Sequence, residues 1–128
     1  DFYLIHNDKS YLQKCLKIIR NYLLEYGLEL NEKTQILPLK NGIDLLGFHT
    51  YLTDSGKVIC KLRKRSKENM KRKMRKFAKN YEAGTMSIYD IRQSYGSWRS
   101  FASYGNTHHL IYDMDKYYHK LFGQSFCS

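Results

Sequence analysis

The sequence predicts an α+β fold: a front part of strand, helix, short antiparallel strands and hairpin, followed by an antiparallel three-helix bundle. Three observations predict it. Val58, Cys60 and Leu62 alternate with Lys57 and Lys61 at a period of two, and from about Ser66 the period becomes 3.6. Strand-like and helix-like stretches are segregated rather than interleaved, the pattern of α+β rather than of βαβ units. The 128 residues hold 42% hydrophobic side chains and one proline, enough apolar material for a core and too much for intrinsic disorder.

"FYLIH", residues 2 to 6, reads as a short buried strand. "NDKSYLQKCLKIIRNYLLEYG" then reads as a helix capped by Asn7 or Asp8. Leu12, Cys15, Ile19, Tyr22 and Tyr26 fall along one side of it, and Gly27 supplies a left-handed stop. "LELNEKTQILPL" reads as two short extended pieces around a turn, with Pro38 confining the second to an edge or a strand end. "GIDLLGFHTYL" and "KVICKLR" flank "TDSG" as a hairpin with a glycine-bearing loop, in which Val58, Cys60 and Leu62 alternate with Lys57 and Lys61.

Three amphipathic helices follow. Met70, Met74, Phe77 and Tyr81 make the stripe of the first. Ser87 with Asp90 resembles a capping box that opens the second, with Ile88, Ile91, Tyr95, Trp98 and Ala102 as its stripe. The third carries Leu110, Met114, Tyr117 and Leu121. Short loops between such helices make an antiparallel bundle. The expected organisation is residues 1–62 as one part and residues 63–128 as the bundle.

Charge narrows the function. The net charge is +10. Residues 57–79 hold Lys57, Lys61, Arg63, Lys64, Arg65, Lys67, Lys71, Arg72, Lys73, Arg75, Lys76 and Lys79 against a single acid, Glu68. The apolar stripe shows that this segment folds rather than trailing as a tail. A solvated helix face normally sets acids against its lysines at i and i+4; here they are nearly missing, and a polyanion relieves the repulsion. Nucleic acid is the expected partner, with a plain soluble face or an anionic membrane surface as the alternatives. No apolar run approaches the roughly 18 residues of a membrane span, no signal-peptide pattern is visible, and a cytoplasmic location is expected. Cys15, Cys60 and Cys127 are odd in number and widely spaced, so they read as free thiols. His6, His49, His108, His109 and His119 are scattered and suggest no metal site; His108 and His109 read as loop residues or caps.

"LELNEKT", "GIDLLGFHTYL" and the basic helix after them resemble the rear half of a bacterial reverse transcriptase, an RNA-directed DNA polymerase of the group II intron and retron-like class. The resemblance runs from inside the palm subdomain through the thumb. "DFYLIH" resembles the family's aromatic-x-Asp-Asp turn cut in half, with Asp1 as its second aspartate. In the family, paired aspartates hold two Mg2+ ions, so the resemblance implies Asp1 as a metal ligand and catalytic residue. "GLELNEKT" resembles motif D, implying that Lys33 lies near the incoming dNTP and protonates pyrophosphate; a plain turn lysine is the alternative. "LGFHTYL" resembles motif E, the primer grip, implying that Leu46, Gly47 and Phe48 sit against the primer strand; an ordinary hairpin glycine between core residues is the alternative.

"IRQSYGSWRSFASYGNTHHL" resembles the thumb helices. Lys61, Arg63, Lys64, Arg65, Lys67, Lys71, Arg72, Arg75, Lys76 and Arg99 are the implied contacts to an RNA template paired with a DNA primer, with Arg92 and the Tyr95–Trp98 pair secondary. The family's fingers, its motif A aspartate and the first aspartate of the split turn are not in these residues. The chain is therefore expected to be a fragment, inactive alone, that lacks a palm and fingers portion and self-associates through the open strand edge at residues 2–6. A stand-alone nucleic-acid-binding helical module and an intron-maturase RNA-binding segment are the rival readings.

Overall fold

A computed structural model describes residues 2–126. The fold is α+β, with a three-stranded antiparallel sheet and four helices. The chain forms two compact units, Asp1–Asn41 and Gly42–Ser128.

The first unit is built on α1, Lys9–Glu25. Asp8 caps it, its Oδ1 accepting from the Ser10 and Tyr11 amides at 2.7 and 3.3 Å. Gly27 adopts φ 68° after the last turn, and the Leu28 and Gly27 amides fold back onto the Leu23 and Leu24 carbonyls at 3.0 and 3.1 Å. This double return is a Schellman stop. No residue of α1 is buried. Its better covered side runs through Leu12, Cys15, Leu16, Ile19 and Leu23. Tyr22 and Tyr26, expected on that side, are exposed and instead pair at the flank with rings 5.0 Å apart.

Two expectations fail in this unit. Residues 2–6 form no strand, and Phe2, Tyr3, Leu4, Ile5 and His6 are exposed. A strand exists only where a neighbour takes up its amides and carbonyls, and among the described residues every ladder lies within 43–62. The strand edge on which the expected self-association rested is therefore not formed. Residues 28–38 likewise hold no strand. Asn31 organises a turn there instead, its Oδ1 accepting from the Lys33 amide at 2.9 Å and its carbonyl from the Thr34 amide at 2.9 Å. Pro38 precedes a single 3-10 turn, Leu39–Asn41.

The second unit opens with β1 (Ile43–Leu45), β2 (Phe48–Leu52) and β3 (Val58–Leu62), antiparallel in that order. The stretch expected as one arm of a hairpin is thus two strands, folded at Leu46–Gly47 with Leu45 opposite Phe48. Both turn residues have positive φ, 47° and 86°, the signature of a type I′ turn, whose twist suits a two-residue hairpin. The second hairpin closes over residues 53–57, with the Thr53 amide on the Lys57 carbonyl at 2.9 Å.

Helices α2 (Lys64–Glu82), α3 (Ile88–Ala102) and α4 (His108–Phe122) follow. Ser87 opens α3: its Oγ accepts from the Asp90 amide at 3.2 Å and donates to the Asp90 carboxylate at 2.7 Å. Met70, Met74 and Phe77 of α2, Ile91 and Tyr95 of α3, and Met114, Tyr118 and Phe122 of α4 form one core. Tyr95 and Tyr118 stack at its centre, 5.1 Å apart. Trp98, late in α3, meets Ser66, early in α2, while Arg92, early in α3, meets Phe126 just beyond the end of α4, so α3 runs antiparallel to both neighbours. Two stripes shift from expectation. Tyr81 is 41% exposed at the edge of the core. On α4 the deepest residues are Met114, Tyr118 and Phe122, with Tyr117 and Leu121 half-buried one position aside, because four-residue steps from Met114 hold the face turned toward Tyr95 better than the three-residue step to Tyr117. His108 and His109 lie exposed in the first turn of α4 rather than in the loop.

Candidate nucleic-acid interface

With Met70, Met74 and Phe77 turned inward, α2 must present its charges on the remaining arc. Lys64, Arg65, Arg72, Arg75, Lys76 and Lys79 are exposed there, with Lys67 and Lys71 half-buried on the flank. The acids on this helix are Glu68, 3.6 Å from Lys64 at i and i+4, and Glu82 in the last turn. Lys71 lays its Nζ 5.1 Å from the Tyr117 ring centre, and Lys73 lies 5.4 Å from that of Phe77. Aliphatic stems covering apolar rings while charged heads reach water is how a basic face is held in place.

The type I′ turn and the start of α2 are joined directly. The Arg63 amide donates to the Gly47 carbonyl at 3.0 Å. Between them lies an open groove of about 350 Å³, lined by Gly47, Arg63, Arg65, Ser66, Asn69, Met70, Lys73 and Trp98. Trp98 Nε1 donates to Ser66 Oγ at 3.1 Å in its wall. Three cationic side chains and no acid line it. Asp44 lies outside that lining, with one oxygen 3.6 Å from Arg63 Nε and the other 2.6 Å from His49 Nδ1.

The sequence-derived site residues divide clearly. Leu46 stands 74% exposed at the turn tip, Gly47 lines the groove, and Phe48 is buried with its ring 5.0 Å from Phe101. Phe48 therefore anchors the turn from below and has no surface to offer a strand. Lys61 is exposed on β3, its Nζ 5.3 Å from the Tyr51 ring centre. Arg99 points into the protein. Its guanidinium pairs with Asp115 through two nitrogens at 3.1–3.2 Å, and it lies 5.6 Å from the Phe126 ring centre. It stabilises the α3–α4 seam and is spent there. Arg92 is likewise engaged, donating to the Phe126 carbonyl at 3.1 Å. Trp98 and Tyr95 stack 5.9 Å apart, Tyr95 fully buried, so the pair belongs to the core and shows only part of the indole to the groove.

Lys33 is exposed in the Asn31 turn of the first unit. Asp1, expected to hold magnesium, lies outside the described residues. Among the described residues no group of three or more His, Cys, Asp or Glu is placed to hold a metal ion, and no step below runs through one. Among the same residues no helix is long and apolar enough to cross a membrane. Cys15 and Cys60 are free thiols, half-buried, while Cys127 lies outside the described residues.

Ser66, Asn69 and Lys73 were not singled out by periodicity. Ser66 and Asn69 flank the Met70 stripe at i−4 and i−1, a place where a polar residue can face a groove. What makes them part of one is Trp98 arriving from 32 positions away, which no local spacing encodes.

Compared with protein-family models, with curated proteins and with solved structures, the chain has no significant match.

Proposed function

We propose that this chain is the primer-grip and thumb portion of a reverse transcriptase, holding the sugar–phosphate strands of an RNA template paired with a DNA primer. The observation that carries the reading is the outer face of α2: five exposed cations, Lys64, Arg72, Arg75, Lys76 and Lys79, on a helix whose other side is locked into a core. Phosphate contacts of this kind position a duplex without reading its sequence. The motif resemblances at residues 27–34 and 46–52 add the polymerase class. The exposed Leu46 tip beside the basic helix agrees with a turn that touches a strand held by that helix.

Fluorescence anisotropy with a labelled RNA–DNA hybrid tests it. Binding should be indifferent to sequence and weaken with salt, the log–log slope falling by about 0.9 for each phosphate neutralised if the hybrid behaves like duplex DNA. Arg72→Ala with Lys76→Ala should lower both affinity and slope. A marked preference for one duplex DNA sequence would favour a stand-alone regulator, and a preference for structured intron RNA a maturase segment. Indifference to hybrid even in dilute buffer would end the reading. Primer extension by this chain alone is not expected, because the resemblance places the other catalytic aspartates outside it.

A further inference from the structure

The groove between the Leu46–Gly47 turn and α2 differs chemically from the outer face of the helix. That face is a convex array of cations suited to a continuous backbone. The groove is concave and two-toned. Arg63, Arg65 and Lys73 supply positive charge, while Met70 and Trp98 supply an apolar wall. Its volume of about 350 Å³ falls at the small end of the range for small-molecule sites, about 300–1,000 Å³.

Its neutral polar groups are turned to donate. Ser66 Oγ accepts from Trp98 Nε1 at 3.1 Å, so its own O–H remains a donor. Asn69 Oδ1 accepts from Arg72 Nη2 at 3.3 Å, which leaves the amide NH2 to donate. A lining with cations, oriented donors, no carboxylate and an aromatic edge suits an anion joined to a flat ring.

We propose that this groove takes one unpaired nucleotide, its phosphate among Arg63, Arg65 and Lys73 and its base against the exposed part of the Trp98 indole. The inference rests on the nucleic-acid reading above and deepens it: the helix face holds paired backbone, and the groove holds a single residue that has left the duplex. Gly47 lines the facing wall with its backbone, and a Cβ there would meet the Phe101 ring at 3.1 Å. The Arg63 amide bond to the Gly47 carbonyl sets the width of the opening.

Trp98 is the only tryptophan in the chain, so intrinsic fluorescence reports on this groove. Titration with adenosine 5′-monophosphate should give a saturable change. Adenosine and inorganic phosphate should each bind at least roughly tenfold more weakly, a difference of about 1.4 kcal/mol. Equilibrium dialysis with radiolabelled nucleotide gives affinity independently of the indole. Arg65→Ala and Lys73→Met should weaken the nucleotide severalfold, while Arg75→Ala with Lys79→Ala should weaken hybrid duplex and leave the nucleotide nearly unchanged. Equal binding of inorganic phosphate and nucleotide would reduce the groove to an anion site and overturn the proposal. So would dialysis showing no retained nucleotide. If hybrid still binds in that case, the groove inference falls and the thumb reading stands. If hybrid is ignored while the nucleotide binds, the reverse holds.

Discussion

Asn106 pairs with Cys60 as though it were a strand. Its amide donates to the Cys60 carbonyl at 2.7 Å and its side-chain Oδ1 accepts from the Cys60 amide at 2.8 Å. One residue of the α3–α4 loop thus satisfies both main-chain groups of a residue on the open edge of β3, and ties the sheet to the bundle that carries the basic helix. Asn106→Ala should cost about 1 kcal/mol, the net worth of one such hydrogen bond. Asn106→Asp keeps the acceptor and should recover part of that loss. Urea midpoints of the three proteins check it, and equal midpoints for Ala and Asn would refute the pairing.

Gly105 sits immediately before that contact. A Cβ there would lie 2.8 Å from the Cys60 carbonyl oxygen and 2.9 Å from the Phe48 ring. A Cβ at Gly96 would lie 3.2 Å from the Phe126 ring edge. The first neighbour is strand backbone and cannot yield; the second is one side chain near the end of the described segment. Gly105→Ala should therefore destabilise by about 1–3 kcal/mol, the usual range for overpacking, and Gly96→Ala by less. Thermal melts of both variants decide the order.

Asp115 serves two partners. It accepts from Tyr95 Oη at 2.6 Å and from Arg99, with side-chain exposures of 23% for Asp115 and 32% for Arg99. Asp115→Ala would leave a part-buried guanidinium and a buried phenol without this acceptor, and should cost about 2 kcal/mol, between the values for an exposed and a buried pair. Arg99→Met keeps the stem and leaves Asp115 its Tyr95 bond, so the loss should be smaller. Hybrid affinity of Arg99→Met should match that of the parent protein wherever both are folded, since this arginine faces inward.

Tyr118 is fully buried, and its hydroxyl has no hydrogen-bond partner among the described residues. Burial raises its phenol above the usual range; Arg92 opposes this and Tyr81 adds to it. Tyr118→Phe should be neutral or stabilising by up to about 1 kcal/mol, since it removes an uncompensated desolvation cost. The sign of the pH effect follows. A folded-state value above the unfolded one, about 10, contributes stability that is complete below pH 10 and lost as pH rises through the folded value. Denaturant midpoints of Tyr118→Phe should accordingly fall less steeply than those of the parent protein under alkaline conditions.

Leu46 holds φ 47° at the tip of its turn, where asparagine or glycine is preferred. Leu46→Asn should stabilise the protein by about 0.5–1 kcal/mol by relieving that conformation. If the tip touches a primer strand, the same change should weaken hybrid binding. Greater stability with unchanged affinity would show that the leucine is a strained turn residue and nothing more.

Much of this was readable from order and spacing. The period change near Ser66 located the bundle, the Ser87–Asp90 pair marked the start of α3, and Gly27 marked the end of α1, because capping and amphipathic spacing act within a few residues and leave a local trace. Where the reading failed, the cause was distant. Residues 2–6 are apolar and β-prone, yet a strand depends on a partner that no local pattern supplies. Tyr117 and Tyr118 carry the same side chain one position apart, and only the ring of Tyr95 selects which of them is central.

The basic interface divides along the same line. Sequence alone determined that a folded helix carries an unbalanced run of lysine and arginine, because charge and a 3.6-residue period are both written in neighbouring residues. Tertiary structure alone decided which cations remain available. Arg99 turns inward to Asp115, and Arg63, Arg65 and Lys73 gather around a groove completed by Gly47 and Trp98. The physical reason is that periodicity sets the direction of a side chain on its own helix, whereas the partner it meets arrives from another element.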